Sequence, residues 1–460
     1  MAPAMTGAVV NPSECARRCV EARCPVGMDR HMKGTVIIIG GGWAGSAAAL
    51  AAKRGGAGRV VILERTDMLL GCGLAGGIMQ NNGRQTAAEE LTAMGAGGLF
   101  SVTDSVATHK NVDFPGHAHA WLYSTTKIEP AVRRFLEGWG IEIHFRSRAV
   151  AFLTSGASVR GVTLHDPADV GVEGDVFVDA TGSAGSLSNC MRYGNGCAMC
   201  VLRCPVFGPR ISLTASAGLT DYVGMRCDGQ AGSFSGSFEL RKSSLSGNIR
   251  KKLHTRGVAV VPLPAALINR EKLRSKSCQQ YALREYASNL ILLDTGDTAK
   301  IMTPFLSLED MRRIAGFENA MIATGSGHTN SVHFLSRAPR NNALKVEGFH
   351  NLFCAGEKSG FFVGHTEAIA TGSLAGHNAV RTLMGKHAVI LPQTLACGDI
   401  IHAEQEGLSS ASGLVRRYTF SGGEYFDRMR EKGLYTTQRS EIANRVRKAD
   451  CYGLFMKTLS

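Results

Sequence analysis

Residues 35–65 read TVIIIGGGWAGSAAALAAKRGGAGRVVILER, and three changes of character in them predict a fold. A short apolar run rich in β-branched residues, Val36, Ile37, Ile38 and Ile39, has the composition of a strand buried on both faces of a parallel sheet. Gly40, Gly42 and Gly45 follow as G-x-G-x-x-G, and the alanine-rich SAAALAAKR then favours a helix. A second apolar run, RVVIL, ends at Glu64. In such a unit each glycine has its own steric task. Gly40 permits the tight turn out of the strand, Gly42 admits a pyrophosphate to the backbone, and Gly45 lets the helix pack on the strand. The helix N-terminus offers N–H groups and the positive end of a dipole to the phosphates. Glu64 stands where a carboxylate can accept hydrogen bonds from ribose hydroxyls. The unit predicts an α/β fold of Rossmann-like type with a dinucleotide site.

Two later segments say which dinucleotide. Residues 175–182, DVFVDATG, read as a strand running into a turn at Thr181 and Gly182. Residues 350–380 read as a short strand (NLFCAG), a glycine-punctuated loop and a small-residue helix from about Thr366. Both resemble the late motifs of the FAD-binding two-dinucleotide-domain flavoproteins. The resemblance implies that Gly356 and Glu357 lie at the ribityl chain. It also implies that the helix start near Thr366 and Ala368 faces the O2 edge of the isoalloxazine, where a helix dipole would stabilise a reduced, anionic flavin. No second G-x-G-x-x-G is found, which leaves the use of NAD(P)H open.

The C-terminal third narrows the resemblance. GFHNLFCAGEKSGFFVGHTEAIATGSLAGHNAVRTLMGKHAVILP (348–392) is similar to the glucose-inhibited division protein A family and its folate-dependent tRNA methyltransferase branch. GHTNSVHFLSRAPRNNALKV (327–346) resembles a segment of the methyltransferase branch, with His328 and Asn330 at matching positions. CGLAGGI (72–78) resembles the cysteine-bearing element of the division-protein branch, with Cys72 in the cysteine's place. The resemblance implies an FAD fold with a substrate subdomain inserted between its halves, and flavin-dependent chemistry on a uridine of tRNA. Within it His365 is a candidate proton donor and Cys72 a candidate thiol that attacks or protects an intermediate.

A separate feature is NCMRYGNGCAMCVLRCPVFG (189–208), which sets Cys190, Cys197, Cys200 and Cys204 ahead of Pro205. The tail C-x-x-C-x-x-x-C-P is similar to half of a bacterial ferredoxin run, so a 4Fe-4S cluster is the expected ligand. Zinc, a redox dithiol of Cys197 and Cys200, and plain buried thiols are the alternatives. Cys15, Cys19 and Cys24 form a weaker group ahead of the first strand. The pair His117 and His119 suggests a metal site, but a partly exposed loop is the expected setting.

The bulk numbers frame these motifs. The chain has 460 residues, 44% hydrophobic and 19% charged, with 55 glycines, 13 cysteines and a net charge of +13. No apolar run is long enough to span a bilayer, and the N-terminus lacks the compact apolar core of a secretory signal. The expected compartment is the cytoplasm, where cysteines serve as thiols or metal ligands rather than structural disulfides. Basic residues cluster at 240–276 (Arg241, Lys242, Arg250, Lys251, Lys252, Arg256, Arg270, Lys272, Arg274, Lys276), which suits either tRNA or a solvated face. The expected organisation is an N-terminal extension (1–31), the first part of the FAD domain (32–186), an inserted substrate and cluster subdomain (187–320), the second part of the FAD domain (321–400) and a C-terminal helical extension (401–460). The function expected first is an FAD-dependent oxidoreductase coupled to an iron–sulfur cluster, working with a small-molecule or redox-protein electron partner. A flavin-dependent tRNA uridine-modifying enzyme and an electron-transfer subunit are the alternatives.

Overall fold

A computed structural model describes residues 34–165, 171–182, 208, 211–234, 238–273, 279–304, 306–325, 332–333 and 335–459. The cysteines at 15, 19, 24, 190, 197, 200 and 204, with His328 and Asn330, lie outside the described residues. Among the described residues no helix is long and apolar enough to cross a membrane.

The four apolar runs form a parallel sheet, and Glu142–His144 joins it as a fifth strand that no apolar run announced. Its order is Leu352–Cys354, Val176–Asp179, Thr35–Ile39, Arg59–Leu63, Glu142–His144. Successive side chains of a strand point to opposite faces, and both faces are covered. Val36, Ile38, Val60, Ile62 and Val178 face the helices, in one core with Leu50, Ile369 and Leu374. Ile37, Ile39, Val61, Leu63 and Phe177 face the other way, onto Phe152, Val159 and Val162. Those three belong to an antiparallel sheet made of Ala149–Ser155, Ser158–Leu164 and Val172–Glu173.

The helices Trp43–Gly55 and His365–Leu383 pack together through small residues. A Cβ on Gly372 would sit 2.2 Å from Ala44 O, and one on Gly376 2.1 Å from Ala48 O. The alanine and glycine content of both segments is therefore a packing requirement, because interiors have no slack for an added methyl against a backbone carbonyl.

The inserted unit is a second five-stranded sheet, antiparallel, ordered Val258–Pro262, Asn289–Asp294, Thr298–Ile301, Phe238–Arg241, Ile322–Gly325. Alternation again sorts its residues. Leu290 and Leu292 join a core with Ile249 and Leu253 of the helix Gly247–Arg256. Ile291 and Leu293 join Val112, Phe114, Ala120 and Leu122. That second set shows that residues ahead of the insert share a core with its sheet. The strands Ile78–Gln80, Ala107–Phe114 and His117–Tyr123 form a sheet of their own whose apolar face is buried on the inserted sheet. Helices Ala396–Gly407, Gly423–Glu431 and Arg439–Lys448 bury Ile400, Tyr425, Met429 and Val446 in the same core as the cofactor helices.

His117 departs from the exposed loop expected for it. It opens a strand, is buried, and stacks on Phe114 with ring centroids 4.8 Å apart. Its Nε2–H donates to Gln280 O (2.8 Å), and Nδ1 accepts from Asn81 Nδ2 (2.8 Å). The carbonyl can only accept, so the ring is held as the neutral Nε2–H tautomer. Burial lowers its pKa from 6.5 to about 4. In that window the unfolded chain binds the extra proton. The stabilisation from neutral His117 is therefore complete above about pH 6.5 and is lost as the pH falls toward 4. The stability lead of the native protein over His117→Asn is expected to shrink by about 2 kcal/mol between pH 7.5 and pH 5. Denaturant unfolding of both proteins at the two pH values measures this, and a constant lead would contradict it.

Candidate active site

The glycine turn is built as its sequence requires. Gly40 has φ +99°, and a Cβ there would meet Ala180 O at 2.5 Å. A Cβ on Gly45 would lie 1.8 Å from Gly40 O. Gly42 differs: a Cβ there meets nothing within 4 Å. Gly42 caps the helix Trp43–Gly55, with no side-chain cap and no acidic residue in the first turn. An anion can approach this helix end without competing with a carboxylate. Glu64 follows the second strand and is buried. Its Oε2 accepts Gly41 N–H (2.8 Å) and its Oε1 accepts from Thr66 N–H and Oγ1 (2.8 and 2.9 Å). Oε1 is thereby filled, and Oε2 keeps a lone pair for a further donor, which fits the ribose role.

On the neighbouring strand Val176–Asp179, Asp179 is the last residue. Its Oδ1 accepts from Thr181 N–H and Oγ1 (3.1 and 2.7 Å), while Oδ2 is buried with no hydrogen-bond partner. Burial pushes its carboxyl upward, against the nearby Lys358 ammonium. Thr181 and Gly182 (φ +72°) therefore lie beside the glycine turn through the Ala180–Gly40 contact. Gly356 (φ +63°) abuts Ala44, and Glu357 begins the turn that leads away from it. The helix His365–Leu383 starts at Gly364, again without a side-chain cap. Ala368 N–H closes the first helical turn on Gly364 O (3.1 Å), so the N–H groups before it are those free to face a ligand. Thr366 Oγ1 donates to Met79 O (2.8 Å) and fixes this helix end to the strand after the Cys72 turn.

Cys72 lies half-buried in the short helix Gly71–Ala75. Leu70 N–H donates to Gly41 O (2.9 Å), which ties this turn to the glycine loop. Tyr123 Oη donates to Gly73 O (2.7 Å) and lies 3.4 Å from His365 Nδ1. The His365 ring packs so tightly on Gly76 that a Cβ there would meet it at 2.0 Å. Trp43 completes the group, its ring 5.8 Å from His365 and 6.1 Å from Tyr123. The structure thus brings Cys72 and His365 to one turn. Burial, helped by the positive charges of Arg84 and Lys300, lowers the His365 pKa to about 3. At neutral pH His365 holds no second proton, so a donor role falls to its neutral N–H.

Sequence reasoning missed several members of this site. Arg84 and Glu367 form a buried ion pair (3.0 Å). Arg84 also donates to Asn81 Oδ1, Val363 O and Thr419 Oγ1, locking the helix start at 365 to residues 81–84. The available signal was a charged residue in the first turn of each helix, Arg84 in Gly83–Ala93 and Glu367 in His365–Leu383. Tyr123, Lys300 and Glu239 had no local signal, because their partners are remote in sequence.

The basic segment is partly spent on the fold. Lys242 pairs with Asp294 (2.7 Å) and Lys272 is buried. Arg250, Lys251 and Arg256 remain exposed on the helix Gly247–Arg256, while Arg274 and Lys276 lie outside the described residues. Among the described residues no group of three or more His, Cys, Asp or Glu side chains could hold a metal ion.

Comparison with known proteins points one way. The sequence model of a family described as glucose inhibited division protein A matches residues 35–302 and 302–387. A methylenetetrahydrofolate–tRNA-(uracil-5-)-methyltransferase of Koribacter versatilis is 29% identical over 156 residues, covering 33% of this chain and 31% of that protein. Its counterpart in Streptococcus agalactiae serotype Ia is 39% identical over 90 residues, covering 19% of this chain and 20% of that protein. This chain therefore spans less than a third of the length of these curated relatives. Among solved structures, Aquifex aeolicus GidA in its form II crystal aligns over 91% of this chain and 76% of that one, with a TM-score of 0.57 and 15% identity. At that identity the likeness shows the fold.

Proposed function

This chain belongs to the glucose-inhibited division protein A family, and from that premise we propose that it is a flavin-dependent enzyme that modifies a uridine of tRNA. The observation that carries the reading is the extent of the family match. It runs from the glycine turn through the inserted sheet to the helix His365–Leu383, and so takes in every element of the candidate site.

FAD fits the residues present. Gly42 leaves the approach to a helix N-terminus open, Glu64 is aligned beside it, and a second uncapped helix starts at His365. The diphosphate would be held at Gly40, Gly42 and Gly45 and a ribose at Glu64. The rest of the cofactor would be held along Thr181, Gly182, Gly356, Glu357 and the helix start at Thr366 and Ala368. When bound, the flavin supplies reversible two-electron chemistry. The chain's own residues bind, orient and shield. The positive end of the 365–383 helix favours negative charge at its mouth. Trp43 and Tyr123, both buried, pack with His365 on the inner side of the Cys72 turn, and half-buried Cys72 offers a thiol there. Arg250, Lys251 and Arg256 offer phosphate contacts for tRNA.

A folate or similar one-carbon donor is the co-substrate that the tRNA methyltransferase relatives suggest. The cysteine run at 190, 197, 200 and 204 lies outside the described residues. Neither the fold nor the relatives give grounds for an iron–sulfur cluster, zinc or a redox electron partner. The test is nucleoside mass spectrometry of tRNA from a deletion strain, with and without the gene restored, together with the spectrum of the purified protein. Bound FAD and a uridine modification that disappears and returns with the gene support the reading. An unchanged uridine profile, or a protein that takes up no flavin, overturns it.

A further inference from the structure

The Cys72 turn is held by the cofactor unit at Gly41 and His365, as described, and also by the inserted sheet. Lys300, in the strand Thr298–Ile301, is buried, and its Nζ donates to Ala75 O (2.9 Å). Alternation along this strand explains the direction. Ala299 and Ile301 fill the insert's own core, so Thr298 and Lys300 point to the opposite face.

A buried ammonium is costly unless a counter-charge and good hydrogen bonds offset its desolvation. A counter-charge is Glu239, which stands directly opposite Lys300 across the antiparallel pair; burial pushes its carboxyl up, and the lysine opposes that push. Glu239 is itself anchored. Its Oε2 accepts from Thr298 Oγ1 (2.6 Å) and Thr125 Oγ1 (3.1 Å). Its Oε1 has no hydrogen-bond partner and lies 3.8 Å from where a Gly77 side chain would begin. Both ends of the 70–77 turn's second half therefore face this pair. A buried charge pair is weak evidence for stability, since apolar residues would do as well. Its value is directional: among the described residues the ammonium reaches one backbone carbonyl of the Cys72 turn, that of Ala75.

We propose that Lys300, backed by Glu239, is a positioning residue that sets the Cys72 thiol against the start of the 365–383 helix and so couples the inserted sheet to the reaction centre. The inference rests on the reading of the Cys72 turn as part of that centre.

Lys300→Met keeps the length and removes the donor. The double variant Glu239→Gln/Lys300→Met removes both buried charges and leaves no unpaired ion, so it should fold even where the single variant does not. Lys300→Arg restores a cationic donor. The holoenzyme and these variants are compared by the alkylation rate of Cys72 with iodoacetamide, read peptide by peptide, and by kcat and KM for tRNA. Either methionine variant is expected to change Cys72 alkylation by about tenfold and to lower kcat by about tenfold or more. KM should stay within about twofold, as a misplaced group demands. Lys300→Arg should recover much of both. A folded double variant whose Cys72 alkylation and kcat match the native protein overturns the proposal. If Cys72→Ala retains full turnover, the role of the turn in catalysis falls, and the alkylation comparison still decides whether Lys300 positions it.

Discussion

Gly42→Val is expected to give a folded protein without flavin, and Gly45→Val to give no stable fold. The two positions are three residues apart in one motif, and the structure separates them by what surrounds them. At Gly42 the backbone is extended (φ −64°, ψ −178°), which any residue adopts, and an added Cβ meets nothing within 4 Å. The new side chain would occupy the approach to the helix N-terminus where the diphosphate must lie. A loss of flavin affinity of about a hundredfold or more, about 2.8 kcal/mol, is expected, with the unfolding midpoint of the apoprotein unchanged. At Gly45 the Cβ would fall 1.8 Å from Gly40 O and close to Ile38. Overpacking costs about 1–3 kcal/mol where neighbouring side chains can yield. Here the neighbour is backbone of the central turn, so relief would require the helix to leave the sheet. The ratio of flavin to protein absorbance and thermal unfolding of each variant are the measurements. Full flavin retention in Gly42→Val, or native stability in Gly45→Val, would refute the assignment.

The contrast shows why this part of the molecule was legible in the sequence. The demands on Gly40, Gly42 and Gly45 are steric and local, so the residue types record them directly. The buried runs 35–39, 59–63 and 176–179 are read for the same reason, since a strand covered on both faces has no polar positions to spare. The long helix after Gly364 carries its packing partner in its composition, as Gly372 and Gly376 stand where Ala44 and Ala48 press. Legibility ends where a residue's partner is far away in the chain. Nothing in ATHKNVDF or HAHAWLY says that their apolar face belongs to a sheet more than a hundred residues later. Lys300 sits in a four-residue strand, TAKI, with no pattern to mark it. His117 looked exposed because PGHAHAW is a turn sequence, while its setting comes from Asn81, Gln280 and Tyr281. The last sixty residues were legible as helical, but not that Tyr425, Met429 and Val446 fill the main core, because that partner lies far back in the chain.

Glu404→Ala is expected to be among the most destabilising single substitutions. Arg337, Arg340 and Glu404 have fully buried side chains. Glu404 accepts from Arg337 through Nε and a terminal nitrogen (3.0 Å each), from Arg340 (2.6 Å) and from the Phe361 N–H (3.2 Å). Burial lowers the Arg340 pKa to about 10, so it remains a cation at neutral pH even in this setting. Removing the carboxylate leaves two guanidinium groups facing each other without a counter-ion. They cannot escape by losing protons, and water cannot reach them without opening the core. Breaking a buried pair in this way costs about 3–5 kcal/mol, a large part of the 5–15 kcal/mol or so that typically holds a domain together. The exposed pair Arg59–Glu142 (2.8 Å), half open to solvent on both sides, is the control: Glu142→Ala should cost at most about 1 kcal/mol. The triad also has a consequence for the site. Arg340 Nε donates to Ser359 O (2.7 Å), and Phe361 is bound through its N–H, so Glu404 fixes the segment that follows Gly356 and Glu357. Glu404→Ala should therefore lose flavin at lower denaturant concentration than it unfolds, whereas Glu142→Ala should lose both together. Equilibrium unfolding followed by flavin fluorescence and by far-ultraviolet circular dichroism separates the two. A Glu404→Ala protein within about 1 kcal/mol of native stability would mean that the two arginines find other partners when the carboxylate is gone.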